Sequence, residues 1–296
     1  MTIHIGDCLE VMRDKIDDDS IDLIVTSPPY ADRRKNTYGG VSPDEYVNWF
    51  SPIAQQIKRV MKPTGSFILN IKEQCSDGER TLYVYDLVSH LKRELGFRWV
   101  DEFCWHKTKI VPSGHKNRFK DGWERIYHFT KEKHFKIDKT RVKVPAQPST
   151  LKRLKTGEKR GDAFDVRVTT TGSNFRMVTA NASGDENGMV FPSNVLTLSA
   201  VCHNTGHSAA FPTALPEWFI KILTDEGDMV LDPFVGSGTT YYVARHMGRV
   251  PIGIDIHKEY LDIINDNMLK YENRMRTQSK KMPSSSKPVN NLEEFI

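Results

Sequence analysis

Ile21-Asp22-Leu23-Ile24-Val25-Thr26-Ser27-Pro28-Pro29-Tyr30 decides how this chain is read. The apolar run from Ile21 to Val25 has the length and composition of a short buried strand. That strand has to stop at Thr26-Ser27-Pro28-Pro29-Tyr30, because each proline lacks an N–H and fixes φ. A rigid loop therefore leaves the carboxyl end of a strand, carrying a hydroxyl, carbonyls and an aromatic ring. In open α/β sheets that edge is where ligands bind. A strand-ending turn with a packed tyrosine would satisfy the same residues, so the rest of the chain has to separate the two readings.

Toward the amino end, Ile3 to Met12 reads as a strand followed by a short helix, with Gly6-Asp7-Cys8 at the junction. An Asp there can cap the helix or accept a hydrogen bond from a ligand amine. Toward the carboxyl end, 31–40 is a basic, glycine-bearing loop beside the strand end, and it includes Arg33 and Arg34. Ser42-Pro43-Asp44-Glu45 predicts a helix start, with a Ser cap and Pro in the first turn. Tyr46, Trp49, Phe50, Ile53, Ile57, Val60 and Met61 follow at helical spacing. Ser66 to Ile71 predicts a buried strand, Leu82 to Leu95 a helix closed by Gly96, and Phe97 to Trp105 a further strand. Strand and helix alternate, the pattern of a parallel sheet with crossover helices.

The pattern breaks near residue 106. Ile126 to Thr130 reads as a strand able to pair with 97–105, but 131–200 shows no sustained period. Regularity returns with a helix from Pro212 to about Thr224 and a strand at Met229-Val230-Leu231. Asp232-Pro233-Phe234-Val235-Gly236-Ser237-Gly238-Thr239-Thr240 then leads into a helix ending near Met247. A strand over Val250–Ile256 and a helix over 258–271 follow, and the tail from about 273 has the composition of a disordered segment.

Phe-x-Gly-x-Gly between a strand and a helix is a ligand-cradling loop. Its glycines let backbone approach a ligand, and the helix start offers N–H donors. Asp255 ends the next strand, 23 residues after Asp232, where nucleotide-binding α/β folds place an acid against ribose hydroxyls. The loop is not a phosphate-gripping P-loop, since GxxxxGK[ST] is absent. Tyr241 stands where the dinucleotide fingerprint has its third glycine. A glycine-bearing turn in an ordinary α/β fold is the plainer alternative.

The 296 residues carry a formal net charge of +4, but residues 102–160 alone hold 17 Lys/Arg against 6 Asp/Glu, a net of +11. A basic block in an otherwise acidic chain favours a polyanionic partner over a merely solvated face. Mean hydropathy is −0.51, and no apolar run approaches the ~18 residues that span a bilayer. The four cysteines, Cys8, Cys75, Cys104 and Cys202, form no CxxC, and no export signal opens the chain. The expectation is a reduced, cytoplasmic protein without a metal centre; Cys202-His203 and His207 lack further paired ligands.

Taken together, the two loops resemble those of the DNA amino-methyltransferases that use S-adenosyl-L-methionine. In that family Asp-, Asn- or Ser-Pro-Pro-Tyr is the catalytic loop and Phe-x-Gly-x-Gly the cofactor loop. The likeness covers most of 1–271 and is weakest over about 131–200. The order of the loops, with a basic segment between them, is similar to the permuted β group of restriction–modification enzymes. The resemblance implies a Rossmann-like doubly wound α/β methyltransferase sheet with an irregular target-recognition insertion. Residues 1–105 would form the catalytic half, 106–200 the target-recognition region and 201–272 the cofactor half.

It also implies roles. Ser27, Pro28, Pro29 and Tyr30 would be catalytic. Asp7 and Cys8 would meet the cofactor adenine. Phe234, Gly236 and Gly238 would form the cofactor loop, with Ser237, Thr239 and Thr240 at the methionine carboxylate. Asp232 would face its amino group and Asp255 the ribose, while His207 lies in a segment bordering the same site. Arg33, Arg34, Lys107, Lys109, Lys116, Arg118 and Lys120 are the basic candidates for DNA contact. The Ser27 hydroxyl and Pro28 carbonyl would accept the two hydrogens of an exocyclic amine on a base flipped from double-stranded DNA, and Tyr30 would stack on that base. The absence of a Pro-Cys nucleophile argues against methylation at the cytosine ring carbon. Ser-Pro-Pro-Tyr favours cytosine N4, with adenine N6 the alternative. The partners to test for are a second copy of the chain and a separate cognate restriction endonuclease. A non-enzymatic DNA-binding protein, or a methyltransferase acting on RNA or protein, explains the pair of loops less well.

Overall fold

β2 (Ile21–Thr26) is buried along its whole length, Asp22 included, and the sheet is built around it. The computed structural model describes residues 2–32, 40–76, 78–109, 117–146, 148, 151, 167–168, 174–175, 188–199 and 211–281. Asp22 is tolerated in the core because it is paired. Its Oδ2 accepts from Lys62 Nζ at 2.8 Å and from the Met229 N–H at 3.0 Å.

β1 (Thr2–Ile5), α1 (Cys8–Lys15), β2, α2 (Tyr46–Val60), β3 (Met61–Ile71), α3 (Tyr83–Arg93), β4 (Arg98–Lys107) and β5 (Trp123–Thr130) come first in the chain. β6 (Val195–Leu198), α4 (Ala214–Leu223), β7 (Met229–Asp232), α5 (Thr239–His246), β8 (Val250–Asp255) and α6 (Tyr260–Lys281) follow. The strands form one sheet in the order β1-β8-β7-β2-β3-β5-β4-β6. Pairing is parallel from β1 to β3. β5 then runs antiparallel to both β3 and β4, and β6 pairs parallel to β4.

α1, α2 and α3 share one apolar cluster with Phe67, Leu69 and Ile71, alternate residues of β3. α4 covers another part of the sheet, where Phe219 and Trp218 meet Phe103 of β4 at 5.2 and 5.3 Å between ring centres. α5 and α6 close a smaller cluster of Val235, Tyr241 and Ile264. The result is the doubly wound α/β sheet expected.

Residues 139–193 form a second compact unit. Its described parts are short: a 3-10 turn at Lys139–Val142, a ladder pairing Val144–Pro145 with Met189–Val190, and another pairing Arg167–Val168 with Asn174–Phe175.

Four elements differ from the sequence expectation, and the first is β3, which opens at Met61, where helical spacing was expected, and not at Ser66. α2 starts at Tyr46, and Ser42 Oγ accepts the Glu45 N–H at 3.3 Å, so the serine closes a turn leading into the helix. β6 lies in a stretch expected to be irregular. Four residues are too few to show a period, and β6 becomes a strand by pairing with β4. α6 runs to Lys281, so disorder does not begin at 273. Met275, Arg276 and their neighbours are sound helix formers, and no Gly or Pro intervenes before Pro283. The tail from 282 lies outside the described residues.

The parallel strands bring their carboxyl ends to one edge. Along it stand Gly6-Asp7 after β1, Asp255 at the end of β8, Asp232 at the end of β7, Ser27 after β2 and Asn70 near the end of β3. Antiparallel β5 brings its first residues, Trp123 and Glu124, to that same edge, where Asn70 is paired with Ile126.

Candidate active site

The two loops read from the sequence are neighbours because β2 and β7 are neighbours. Thr26, the last residue of β2, donates from Oγ1 to Asp232 Oδ1 at 2.7 Å. The Phe234 N–H reaches the same oxygen at 3.1 Å, so Asp232 also folds its own loop. Asp232 is 3% exposed. Burial pushes its carboxyl up to about 6, against the hydrogen bonds from Thr26 and Phe234. A buried acid so placed gains from any cation delivered to it.

Asp255 organises the other side of the loop. Its Oδ2 accepts the Gly236 N–H at 2.9 Å and its Oδ1 the His257 N–H at 3.0 Å. Its backbone carbonyl takes the Gly6 N–H at 2.9 Å, which ties the Gly6-Asp7 corner to the cofactor loop. Burial raises the Asp255 carboxyl too, opposed by these N–H donors. Gly236 and Gly238 have φ of +47° and +86°, the left-handed region. A Cβ on Gly238 would stand 2.8 Å from Ile264, so glycine is required there for shape and for space.

The threonines that open α5 are turned inward. Thr239 and Thr240 are buried, and Thr240 Oγ1 donates to the Val25 carbonyl of β2 at 3.4 Å. The Ser237 carbonyl is held by Asn267 Nδ2 at 3.1 Å. The Phe234 ring lies 6.0 Å from Trp49 and 6.5 Å from Phe50 of α2. Asp7 is exposed and caps α1, its Oδ1 accepting from Leu9 N at 2.8 Å and Glu10 N at 3.3 Å. Cys8 is buried beside it, with its thiol pushed up to about 12 by burial first and Asp7 second. That thiol is packing, not a nucleophile.

The Ser27-Pro28-Pro29-Tyr30 loop is held from three sides. Tyr46 Oη of α2 donates to the Pro29 carbonyl at 2.8 Å. Ser27 Oγ lies 3.3 Å from Tyr30 Oη, which lies 3.2 Å from Glu124 Oε2 and 3.4 Å from Asn70 Oδ1. Burial and the Glu124 carboxylate raise the Tyr30 phenol well above its usual value, so it stays a donor. Asn70 and Glu124 were not singled out from the sequence. Asn70 does carry a signal, a polar residue near the carboxyl end of an otherwise apolar strand. Glu124 carries only a faint one, an acid inside the basic block.

The basic candidates divide. Lys107 Nζ pairs with Glu124 Oε1 at 2.5 Å and sits 4.6 Å over the Trp105 ring. Arg118 pairs with Asp121 at 3.1 Å, which Lys72 and Arg80 also hold, at 2.8 and 2.6 Å. Burial alone would raise the Asp121 carboxyl, but the Lys72 and Arg80 hydrogen bonds keep it well below the carboxylate range. Lys109 and Lys120 are exposed. Lys120 borders a cleft of about 420 Å3 that also meets Phe119, Trp123 and Tyr85. Arg33, Arg34, Lys116 and His207, with Cys202 and His203, lie outside the described residues. Among the described residues, no three His, Cys, Asp or Glu side chains could hold a metal ion. No described helix is long and apolar enough to cross a membrane.

The profile of the DNA methylase family, which spans N6- and N4-methyltransferases, matches residues 21–266. The Type II methyltransferase M.PvuII of Proteus hauseri is 31% identical over 280 residues, covering 88% of this chain and 81% of that one. The orphan methyltransferase M.BamHII of Bacillus amyloliquefaciens is 31% identical over 282 residues, covering 92% and 98%. The solved PvuII DNA methyltransferase, described as cytosine-N4-specific, superposes with a TM-score of 0.66 at 26% identity, over 92% of this chain and 91% of that one. The chain belongs to the DNA methylase family, and it is a methyltransferase whose methyl donor is S-adenosyl-L-methionine. The residues present fit that donor: a buried acid for its ammonium, a second acid beside the glycine turn, and a backbone loop that no side chain at Gly238 could occupy.

Proposed function

We propose that this enzyme methylates the exocyclic N4 amine of cytosine at a specific site in double-stranded DNA, acting on a base swung out of the duplex. The observation that carries the reading is the Ser27 hydroxyl, which opens the loop directly after Thr26 while Thr26 is bonded to Asp232 at the head of the cofactor loop. Methyl acceptor and methyl donor then share one strand boundary. The cytosine-N4 specificity described for the PvuII enzyme supports the choice of base.

When bound, S-adenosyl-L-methionine supplies an electrophilic methyl group on a sulfonium. The protein's work is alignment. Asp232 would hold the donor's ammonium and Asp255 its ribose hydroxyls, while the turn at Gly236 and Gly238 would let backbone approach. Ser27 Oγ and the Pro28 carbonyl would accept the two amine hydrogens, which would leave the nitrogen lone pair free for the methyl. The Tyr30 ring stacks on the flipped base. No strong base would be needed: the S–CH3 bond would break as the N–CH3 bond forms, S-adenosylhomocysteine would leave, and the surplus proton of the cationic nitrogen would pass to water.

Residues 106–200 are proposed to read the target, with Lys109 and Lys120 on phosphates. The residues up to 105 and those from 201 to 272 supply the catalytic and cofactor halves. A cytoplasmic restriction–modification role, with a separate cognate endonuclease, agrees with the Type II relatives, whereas the likeness to an orphan enzyme supports action without a nuclease. Self-association as a homodimer is a separate proposal.

The test is direct. The enzyme is incubated with duplex DNA and methyl-labelled cofactor, and the DNA is digested to nucleosides. Label in N4-methylcytosine is expected. Label in N6-methyladenine would overturn the choice of base, and label in neither would overturn the activity.

A further inference from the structure

A serine hydroxyl can donate or accept, and the reading above requires Ser27 to accept. The structure supplies a reason for it to do so. Glu124 is 9% exposed, and its Oε1 is occupied by Lys107 Nζ at 2.5 Å. Its Oε2 faces Tyr30 Oη at 3.2 Å and Asn70 Nδ2 at 3.4 Å. A carboxylate paired with an ammonium has only lone pairs to offer. The single Tyr30 hydroxyl proton therefore points to Glu124, or to the Asn70 carbonyl oxygen at 3.4 Å. The amide orientation of Asn70 is fixed, because its Nδ2 donates to the Arg125 carbonyl at 3.0 Å. Either way Tyr30 Oη presents lone pairs to Ser27, and the Ser27 proton turns to it at 3.3 Å.

We infer that Glu124, with Lys107 behind it, is a positioning residue that sets the polarity of the chain Ser27→Tyr30→Glu124 and so turns the Ser27 lone pairs toward the substrate amine. This rests on the methyl-transfer reading of the same site. A neutral hydroxyl is thereby given the acceptor character that a carboxylate in the same position would have outright. The Tyr30 ring remains available for stacking, since only its oxygen is used.

Glu124→Gln nearly preserves shape but can present an N–H to Tyr30, which removes the acceptor at 3.2 Å and leaves only the longer 3.4 Å contact to Asn70 to keep the Tyr30 proton from turning to Ser27. The expected result is a kcat lower by roughly tenfold to a hundredfold, the size of a lost charged hydrogen bond. KM for DNA and the dissociation constant of S-adenosyl-L-methionine should stay within about threefold, since no group on either ligand is removed. Tyr30→Phe deletes one oxygen of the same chain and should lower kcat comparably. The double variant should be no slower than the slower single, because both changes cut one chain. Wild-type kcat in Glu124→Gln, or losses that multiply in the double variant, would overturn the inference. Should Glu124→Gln also lose the cofactor, Tyr30→Phe decides: an unchanged kcat there overturns it. Wild-type enzyme that methylates no DNA would instead sink the functional reading itself.

Discussion

Thr26 and Asp232 stand 206 residues apart in the chain and meet through a buried 2.7 Å hydrogen bond that joins the catalytic loop to the cofactor loop. The bond is local in the sheet because β2 and β7 are adjacent, although the sequence separates them widely. Thr26→Val keeps the shape and removes the donor. A buried acid is then short of one partner, at roughly 1–3 kcal/mol of stability. Denaturant midpoints should fall accordingly, and cofactor affinity should weaken with them. An unchanged midpoint would mean that the hydroxyl does not hold Asp232.

Asp232 should also make cofactor binding depend on pH. Its carboxyl rises from 3.8 to about 6 on folding, so between those values the folded protein holds more protons than the unfolded chain. Its contribution to apo-enzyme stability is full below 3.8 and is lost as pH rises through about 6. Binding runs the other way, because an ammonium prefers the ionised acid. Calorimetric titration should show affinity for S-adenosyl-L-methionine rising from about pH 5 to about pH 7, and Asp232→Asn should flatten that rise.

His128 gives an opposite signature in stability. It is buried in β5 against Ser66 Oγ at 2.9 Å, and burial lowers it from 6.5 to about 4. The unfolded chain takes up its proton first as pH falls. Stability is therefore lost from about pH 6.5 down to about pH 4, by about 3 kcal/mol from this group. Urea unfolding across that range, compared with His128→Gln, measures it.

Ser27→Ala and Tyr30→Ala should each lower methyl transfer by at least about a hundredfold, as removal of a group that acts at the reacting centre does. Neither residue borders Asp232 or Asp255 through a hydrogen bond in the described structure, so cofactor binding should survive. Full activity in either variant would remove the loop from the chemistry.

DNA affinity should fall steeply with salt. Lys109 and Lys120 are exposed, whereas Lys107 and Arg118 are engaged by Glu124 and Asp121. Replacing Lys109 and Lys120 together by Ala should reduce the salt slope by about 0.9 for each phosphate that is no longer neutralised. A slope unchanged from wild type would place the phosphate-binding cations elsewhere.

Both loops proposed to carry the chemistry were legible in the sequence as strand-ending loops, because proline, glycine and short apolar runs act locally. Ser27-Pro28-Pro29-Tyr30 and Phe234 to Thr240 lie at strand ends where the pattern of residues requires a strand to stop. The partners of those loops were not legible. Glu124 reaches Tyr30 only because β5 runs antiparallel to β3, which places the start of one strand beside the end of the other. Lys107 reads as a surface cation among many until the Trp105 ring and Glu124 are seen around it. β6 was missed for the same reason, since its four residues become a strand by pairing with β4. The length of α6 was a matter of weighting, with a polar tail read as disorder although its residue types favour helix.

The hydroxyl of Tyr46 has a consequence for turnover. It occupies the Pro29 carbonyl, so that on the proposed alignment Ser27 and Pro28 would be the acceptors, a matched pair for an unmodified amine. A methylated amine brings one hydrogen to a place shaped for two. One acceptor then goes unmet, at roughly 1–3 kcal/mol, which disfavours a second round on the same nitrogen and helps the product base return to its helix. On the proposed alignment the site would count hydrogens, and by counting them stop at a single mark.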